Sequence, residues 1–292
     1  MLILAHPVPG EECLIPTGPA REAVVSWNTR ALEGTLELRV NAHDGRTSAW
    51  LPYATFAADR RTSLDGADTF VRLRTDVLRS DVDIVSIGVR TRGELDALYV
   101  SLPDYGAPSS IVALPEIGLD VPALSQYDAA FPSERGWCAP AALAMLLAFR
   151  SYPLDLPVVA REVFDARYGG TGNWAFNVAF AGSLGFRAAV LHLRDLPHAH
   201  AFLVDDIPLA LSLAWKRGEL PGAPLPQSDG HLVVLRGIDA SGDALVNDPA
   251  QPGIAVAYPR AAFERAWLGH GGIALAVAPA PLGDLLVRLA NA

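Results

Sequence analysis

Cysteine is nearly absent from this 292-residue chain, which has two, Cys13 and Cys138. That excludes a disulfide-stapled scaffold and a cysteine-rich zinc cluster. Charge is sparse and acid in balance: charged residues make up 19%, the net charge is -9, and neither sign forms a long run. A chain without a basic stripe is a poor match for a phosphate backbone, so no nucleic-acid partner is expected. Long hydrophobic runs are missing as well. The longest, Ala139 to Phe149, is about half of the ~20 apolar residues that cross a bilayer and reads as a buried helix, so no membrane span is expected. The first residues, MLILAHPVPGEE, have neither a basic n-region nor a full h-region. As written, the chain is expected in the cytoplasm; secretion is expected only if the true start lies upstream.

What is present is ample apolar content, 51% of residues, enough for packed cores in about two domains. The first hundred residues read as strands. Thr35 to Val40, Phe70 to Arg74 and Asp83 to Ile87 alternate at period two, and Leu95 to Leu102 is a fourth candidate. Turn pairs at Asp44-Gly45, Asp65-Gly66 and Arg92-Gly93 punctuate them. Short strands at this spacing predict an antiparallel sandwich. Pro103, Pro108, Pro115 and Pro122, around Gly106 and Gly118, then break the pattern. The expected division is an all-β sandwich over 1–118 with a Pro-rich linker at its end, and a second domain over 119–292.

The second part changes character. Pro140 to Arg150 is strongly helical, 155–167 is a second helix candidate and Asn173 to Leu184 a third, with Asn173 as N-cap and Gly185 as stop. Strand candidates follow at Arg187 to Leu193, Ile207 to Leu213, His231 to Ile238, Ala244 to Asn247 and Gly272 to Ala278. Helices first and an antiparallel sheet after them predict an α+β domain.

A lone cysteine is ordinarily a small buried hydrophobe. Cys138 differs because it stands directly before Pro140-led helical sequence, in Gly136-Trp137-Cys138-Ala139-Pro140. Pro is favoured in a first helical turn, which puts the thiol at a helix N-terminus. The partial positive charge there lowers a thiol pKa, and the unpaired N–H groups can hold an oxyanion. A thiolate also needs a base. His231 opens an apolar strand after Asp229-Gly230, and Asp248 ends the next strand in Asn247-Asp248-Pro249. If those strands form a hairpin, the start of one lies beside the end of the other, and Asp248 can orient the His231 ring. Alternation sends the Asn247 side chain to the opposite face. His192, His198 and His200 are close in sequence, but further ligands at metal spacing are missing, so no metal site is expected. His6, His43 and His270 read as surface or loop residues.

Together these segments resemble a known family. Ser125-Gln126-Tyr127-Asp128, Arg135 to Pro140 and Ala144 to Leu147 look like the opening of the bacteriocin-processing (double-glycine leader) type of cysteine peptidases. They are most similar to its stand-alone, papain-like bacterial members. Gly230 to Gly237 resembles the family's histidine strand, Val246 to Ala250 its acid motif, and Tyr258-Pro259-Arg260, Phe263 and Trp267 the segment after it. The resemblance spans roughly 119–279. It implies Cys138 as nucleophile, His231 as base, Asp248 as orienting acid and Gln126 as oxyanion donor, with Trp137 and Trp174 beside the substrate and no cofactor. It also implies that Ser26 to Leu102 is the β-sandwich that precedes the peptidase domain in actinobacterial-type relatives.

The expectation is therefore a cysteine peptidase acting on a peptide or protein through a thioester acyl-enzyme. Three alternatives stay open at this level: amidase, transglutaminase-like or peptidoglycan-acting acyl transfer on the same residues; a non-catalytic binding module; and a carbohydrate- or cell-wall-binding protein. The last would act through Trp27, Trp50 and Tyr53 of the sandwich, taken as exposed.

Overall fold

The structure, a computed structural model, describes residues 1–57, 60–103, 112–127 and 136–292. Gly106 and Pro108 of the Pro-rich stretch, and Asp128 and Arg135 of the cysteine motif, lie outside the described residues. The first part consists of β1 (Leu2–Ala5), β2 (Glu12–Asn28), β3 (Gly34–Ala42), β4 (Leu51–Ala57), β5 (Arg60–Ser63), β6 (Gly66–Ala67), β7 (Val71–Arg74), β8 (Val77–Arg92) and β9 (Ala97–Ser101). The second contains β10 (Ile117–Gly118), α1 (Cys138–Phe149), α2 (Leu156–Glu162), α3 (Trp174–Ser183), β11 (Arg187–His192), α4 (Leu196–Val204), β12 (Leu209–Trp215), β13 (Ser228–Ile238), β14 (Ala244–Asn247), β15 (Ala255–Tyr258), α5 (Arg260–Leu268), β16 (Ile273–Ala278) and α6 (Gly283–Ala290).

Alternation builds the first part as expected: in β3, Leu36, Leu38, Val40 and Ala42 are buried and their neighbours are not. The described strands do not form two hydrogen-bond-separated sheets, however. They make one nine-stranded antiparallel sheet in the order β1-β9-β2-β8-β3-β4-β5, with β7 on β8 and β6 on β7. Strand β2 was not foreseen because Pro16 and Pro19 interrupt it. The ladder accommodates them by shifting register between Pro16 and Ala20, since proline cannot donate to a sheet. The sheet curls on itself, so that Tyr53 of β4 donates its hydroxyl to Val25 O of β2 at 2.6 Å.

This curl overturns the reading of the aromatics as an exposed sugar-binding set. Trp27 and Tyr53 are core residues, and Trp27 lies between Tyr53, Phe56 and Phe176 with ring centroids 5.8 to 6.1 Å away. Trp50 is half-buried, with the Arg39 and Arg90 guanidiniums 4.8 and 4.0 Å from its ring.

The second sheet is antiparallel, in the order β11-β16-β12-β13-β14-β15, with β10 on β13. Ile117 and Gly118, assigned from sequence to the end of the first part, thus pair with Ile238 and Gly237 of the second. α1 and α3 pack on one face around Leu143, Val190, Val234 and Leu275. α4, α5 and α6 pack on the other around Phe202, Leu211, Phe263 and Trp267. Asn173 caps α3 by accepting the Phe176 N–H at 3.0 Å, and Gly185 follows the helix at φ +91°. α4, α5 and α6 were not read from the sequence; α4 is a short helix of about two and a half turns, of mixed His and apolar residues without a clear stripe.

The two parts are joined along an edge. β11 borders the second sheet, and its outward N–H groups at Ala188, Val190 and His192 would be left unpaired. Each is taken by a side chain of the first part: Asn28 Oδ1 at 3.1 Å, Ser26 Oγ at 3.2 Å and Ser101 Oγ at 2.9 Å. Asn28 also donates its amide to Ala188 O at 2.8 Å. α3 runs so close to this joint that a Cβ on Gly182 would sit 2.6 Å from Asn28 Cβ. Gly182→Ala is therefore expected to destabilise the chain by about 1–3 kcal/mol, measured as a lower denaturant midpoint at unchanged slope. A wild-type midpoint would contradict the close approach.

Candidate active site

Cys138 is the first residue of α1. Gly136, at φ +81°, turns the chain into the helix, a conformation that costs glycine little. Trp137 sits at the N-cap and no side chain caps the helix, so its first N–H groups remain available at the positive end of the helix dipole. The thiol is half-buried. Burial pushes its pKa up; the imidazole of His231 and the N–H groups of Leu232 and Ala139 more than offset this, and the thiol ends below its ordinary value.

His231 lies within β13, opposite Leu213. The strand begins earlier than expected, at Ser228, because β12 continues to Trp215 and pairs with it. The His231 ring meets Trp215 edge-on at 5.8 Å. Its Nε2 is 2.7 Å from Asp248 Oδ1, which leaves Nδ1 for the Cys138 sulfur. Burial alone would lower the imidazolium pKa. The hydrogen bonds and charges of Asp248 and Cys138 reverse that and raise it to about 10.

Asp248 follows β14 and is fully buried. Oδ1 accepts from His231 and from the Ala250 N–H at 2.9 Å, and Oδ2 accepts from the Tyr258 hydroxyl at 2.6 Å. Burial works against the carboxylate, and these partners hold its pKa below the ordinary value. Asn247 points away, its Oδ1 accepting from Arg236 at 3.1 Å and its amide donating to Val121 O at 2.9 Å.

Gln126 donates its backbone N–H to Pro249 O at 2.9 Å, beside the acid loop. The residue is 7% exposed, and its Oε1 has no hydrogen-bond partner among the described residues. It makes no hydrogen bond to Cys138 among the described residues and does not line the cleft in front of the thiol. Trp137 and Trp174 do line that cleft, which has a volume of about 1970 Å³.

His270 also lines it, with its ring 6.1 Å from Trp174 and edge-on; the sequence reading had set it aside as a surface or loop residue. The loop assignment holds. The neglected sign was its setting between Gly269 and Gly271-Gly272, where Gly272 accepts the Leu193 N–H at 2.9 Å. The remaining histidines scatter: His192 Nδ1 is 2.9 Å from Ser101 Oγ, His198 Nε2 is 2.8 Å from Leu289 O, and His200 Nε2 is 3.0 Å from Pro115 O.

The far wall of the cleft comes from the first part. Asp76, in the β7–β8 turn, accepts the Trp174 N–H at 2.7 Å and so pins that hairpin to the start of α3. Arg72, Arg74 and Arg79 of the hairpin face the same cleft as Cys138.

The family model described as "Peptidase_C39 like family" matches residues 118–275, more than half of the chain. Two solved structures align with it. One is a C39-like peptidase from Bacillus anthracis, 18% identical, with a TM-score of 0.45, covering 56% of this chain and 98% of that one. The other is a double glycine motif protease from an AMS/PCAT transporter in complex with the leader peptide, 21% identical, with a TM-score of 0.40, covering 57% of this chain and 99% of that one. No curated protein matches the chain.

Tyr258 was quoted from sequence only as part of a segment, yet it holds the carboxylate on which His231 rests. Tyr258→Phe removes a hydrogen bond to a buried charge and is expected to cost about 1.5–3 kcal/mol of stability, read from the denaturant midpoint. A loss below about 0.5 kcal/mol would show that the hydroxyl is not needed there.

Proposed function

Since the chain belongs to the Peptidase_C39-like family, we propose that it is a cysteine peptidase whose second part, from about residue 119, is a papain-like domain hydrolysing a peptide bond at Cys138. The observation that carries this reading is the buried relay: Asp248 at 2.7 Å from His231 Nε2, and the thiol on the ring's other side, at a helix N-terminus.

The Cys138 thiolate attacks the scissile carbonyl carbon, and a C–S bond forms as the carbonyl oxygen takes the electron pair. The Cys138 backbone N–H, at the head of α1, stabilises that oxyanion. The Gln126 side-chain amide is the second donor in this reading, as the family resemblance implies; it is tethered beside the acid loop through its backbone N–H on Pro249 O and would turn its amide toward the thiol when substrate binds. His231, protonated, gives its proton to the leaving amine as the C–N bond breaks. Water then attacks the thioester, His231 takes the water proton, and the carboxylic acid leaves as the thiolate is restored. Asp248 keeps the imidazolium oriented and stabilised throughout. None of these steps calls for a metal or cofactor. Trp137 and Trp174 flank the peptide, and the first part of the chain contributes a wall of the cleft.

The pair Cys–S⁻/His–H⁺ is the reactive form. It appears as the pH rises through the lowered thiol pKa, below 9, and disappears as the imidazolium loses its proton near pH 10. The test is digestion of a proteome-derived peptide library by the full chain, read by mass spectrometry. Wild type is expected to cut a reproducible set of bonds, with a rate that rises below pH 9 and falls near pH 10. Cys138→Ala and His231→Ala are each expected to lose about a thousandfold or more, and Gln126→Ala about a hundredfold. Undiminished cleavage by Cys138→Ala overturns the reading.

A further inference from the structure

We propose that the arginines of the β7–β8 hairpin and of β5 form a substrate-recognition wall that selects extended peptides carrying acidic side chains at alternate positions. This deepens the peptidase reading and rests on it for the statement that the occupant is a peptide.

The wall opposes the sign of the whole molecule. The chain carries a net charge of -9, yet Arg60, Arg72, Arg74 and Arg79 all face the cleft that holds Cys138. Their placement is costly in isolation. Arg72 stands directly opposite Arg79 in the ladder, and like charges across a strand pair repel. Only one of these two is neutralised: Glu22, opposite Arg79 on the next strand, binds it at 2.7 Å. Glu22 is also beside His192, which with Arg79 keeps its carboxylate ionised, at a pKa of about 2. Among the described residues, the side chains of Arg60, Arg72 and Arg74 have no hydrogen-bond or ion-pair partner.

The other charges lining the cleft do not answer them. Arg21 binds Asp83 and Arg161 contacts Glu162. Asp76 is buried, and that burial raises its pKa to about 7. Asp81 makes no ion pair with these arginines among the described residues, and Asp229 lies near His270 at the other end of the lining. The guanidiniums of Arg60, Arg72 and Arg74 are exposed and unpaired on the wall of the cleft, so a carboxylate ligand there meets a fork that matches its geometry.

The spacing specifies the ligand further. Val71 and Leu73 are buried and Arg72 and Arg74 are exposed, so both arginines leave the same face of one strand. Two residues of strand span about 6.6 Å, the same distance that separates alternate side chains of an extended peptide. The hairpin itself is fixed: its turn is held at Asp76 by the Trp174 N–H, and the adjacent β5 is held where Ser63 N donates to Asp165 Oδ1 at 3.1 Å. The arginines are thus presented on strands that line the same cleft as Cys138.

The experiment measures binding to the full chain carrying Cys138→Ala, so that it does not depend on turnover. The probes are three fluorescein-labelled decapeptide pools, with Glu, Gln or Lys at the same alternate positions, and a labelled single-stranded oligonucleotide of the Glu pool's charge. The Glu pool is expected to bind about tenfold more tightly at low ionic strength. Arg72→Gln/Arg74→Gln, at exposed positions, is expected to erase that difference, and Arg72→Glu/Arg74→Glu to reverse it toward a Lys pool. Lys216→Gln/Arg217→Gln removes the same charge outside the cleft and is expected to leave the preference intact. Equal affinity for the Glu and Gln pools, a preference unaffected by the Arg72/Arg74 changes, or equally tight binding of a single-stranded oligonucleotide of the same charge overturns the proposal. Glu-pool preference in a protein that cleaves no peptide would overturn the peptidase reading and keep the wall; library cleavage with no Glu-pool preference would do the opposite.

Discussion

A carboxylate withdrawn from water governs this site. Asp248 is fully buried, and an ionised carboxyl in that setting is tolerable only if cationic or strong hydrogen-bond partners surround it. The chain supplies the Ala250 N–H, the Tyr258 hydroxyl and the ring of His231. The ring is the one partner able to carry a charge, so burial of the acid favours an imidazolium. The imidazolium in turn favours a thiolate on its other side. In the proposed chemistry this activates Cys138 through His231, and the helix N-terminus beneath the thiol adds to the same effect.

The second constraint is the edge of β11. A bare strand edge invites pairing with another chain. Here Asn28, Ser26 and Ser101 occupy it with side-chain oxygens, and this ties the curled nine-stranded sheet to the second sheet. Phe176 of α3 lies in the core of the first part against Trp27, and Val24 of β2 lies in the core beneath α1. The first sheet is consequently a wall of the cleft, which gives its arginines access to whatever lies in front of Cys138. The view of it as a tethered sugar-binding module depended on Trp27 and Tyr53 being exposed, and both are buried.

Residues that act through short-range chemistry were legible in the sequence. The Pro140-led helix announces itself, the Asn173 cap and Gly185 stop follow from local backbone preferences, and the His231 and Asp248 strands form the hairpin that alternation suggests. What was hidden is tertiary. β2 was obscured because prolines mask its alternation and only the partner strands absorb the bulge. The curl of the first sheet follows from packing around Trp27, which no local pattern reveals. His270 and the β7–β8 hairpin reach the cleft by way of the fold, so their sequence neighbours carry little sign of it. Tyr258 reads as an ordinary strand-end aromatic until Asp248 is placed beside its hydroxyl.

The most direct measurement is the thiolate absorbance of the native chain across a pH titration, taken as the difference from Cys138→Ser and repeated in His231→Ala. If the buried acid drives an imidazolium–thiolate pair, thiolate absorbance at Cys138 is already present well below pH 9 and shifts to higher pH when His231 is removed. A thiolate that forms only at pH 9 or above in wild type, at the same pH with and without His231, would contradict the pair and with it the peptidase chemistry built on it.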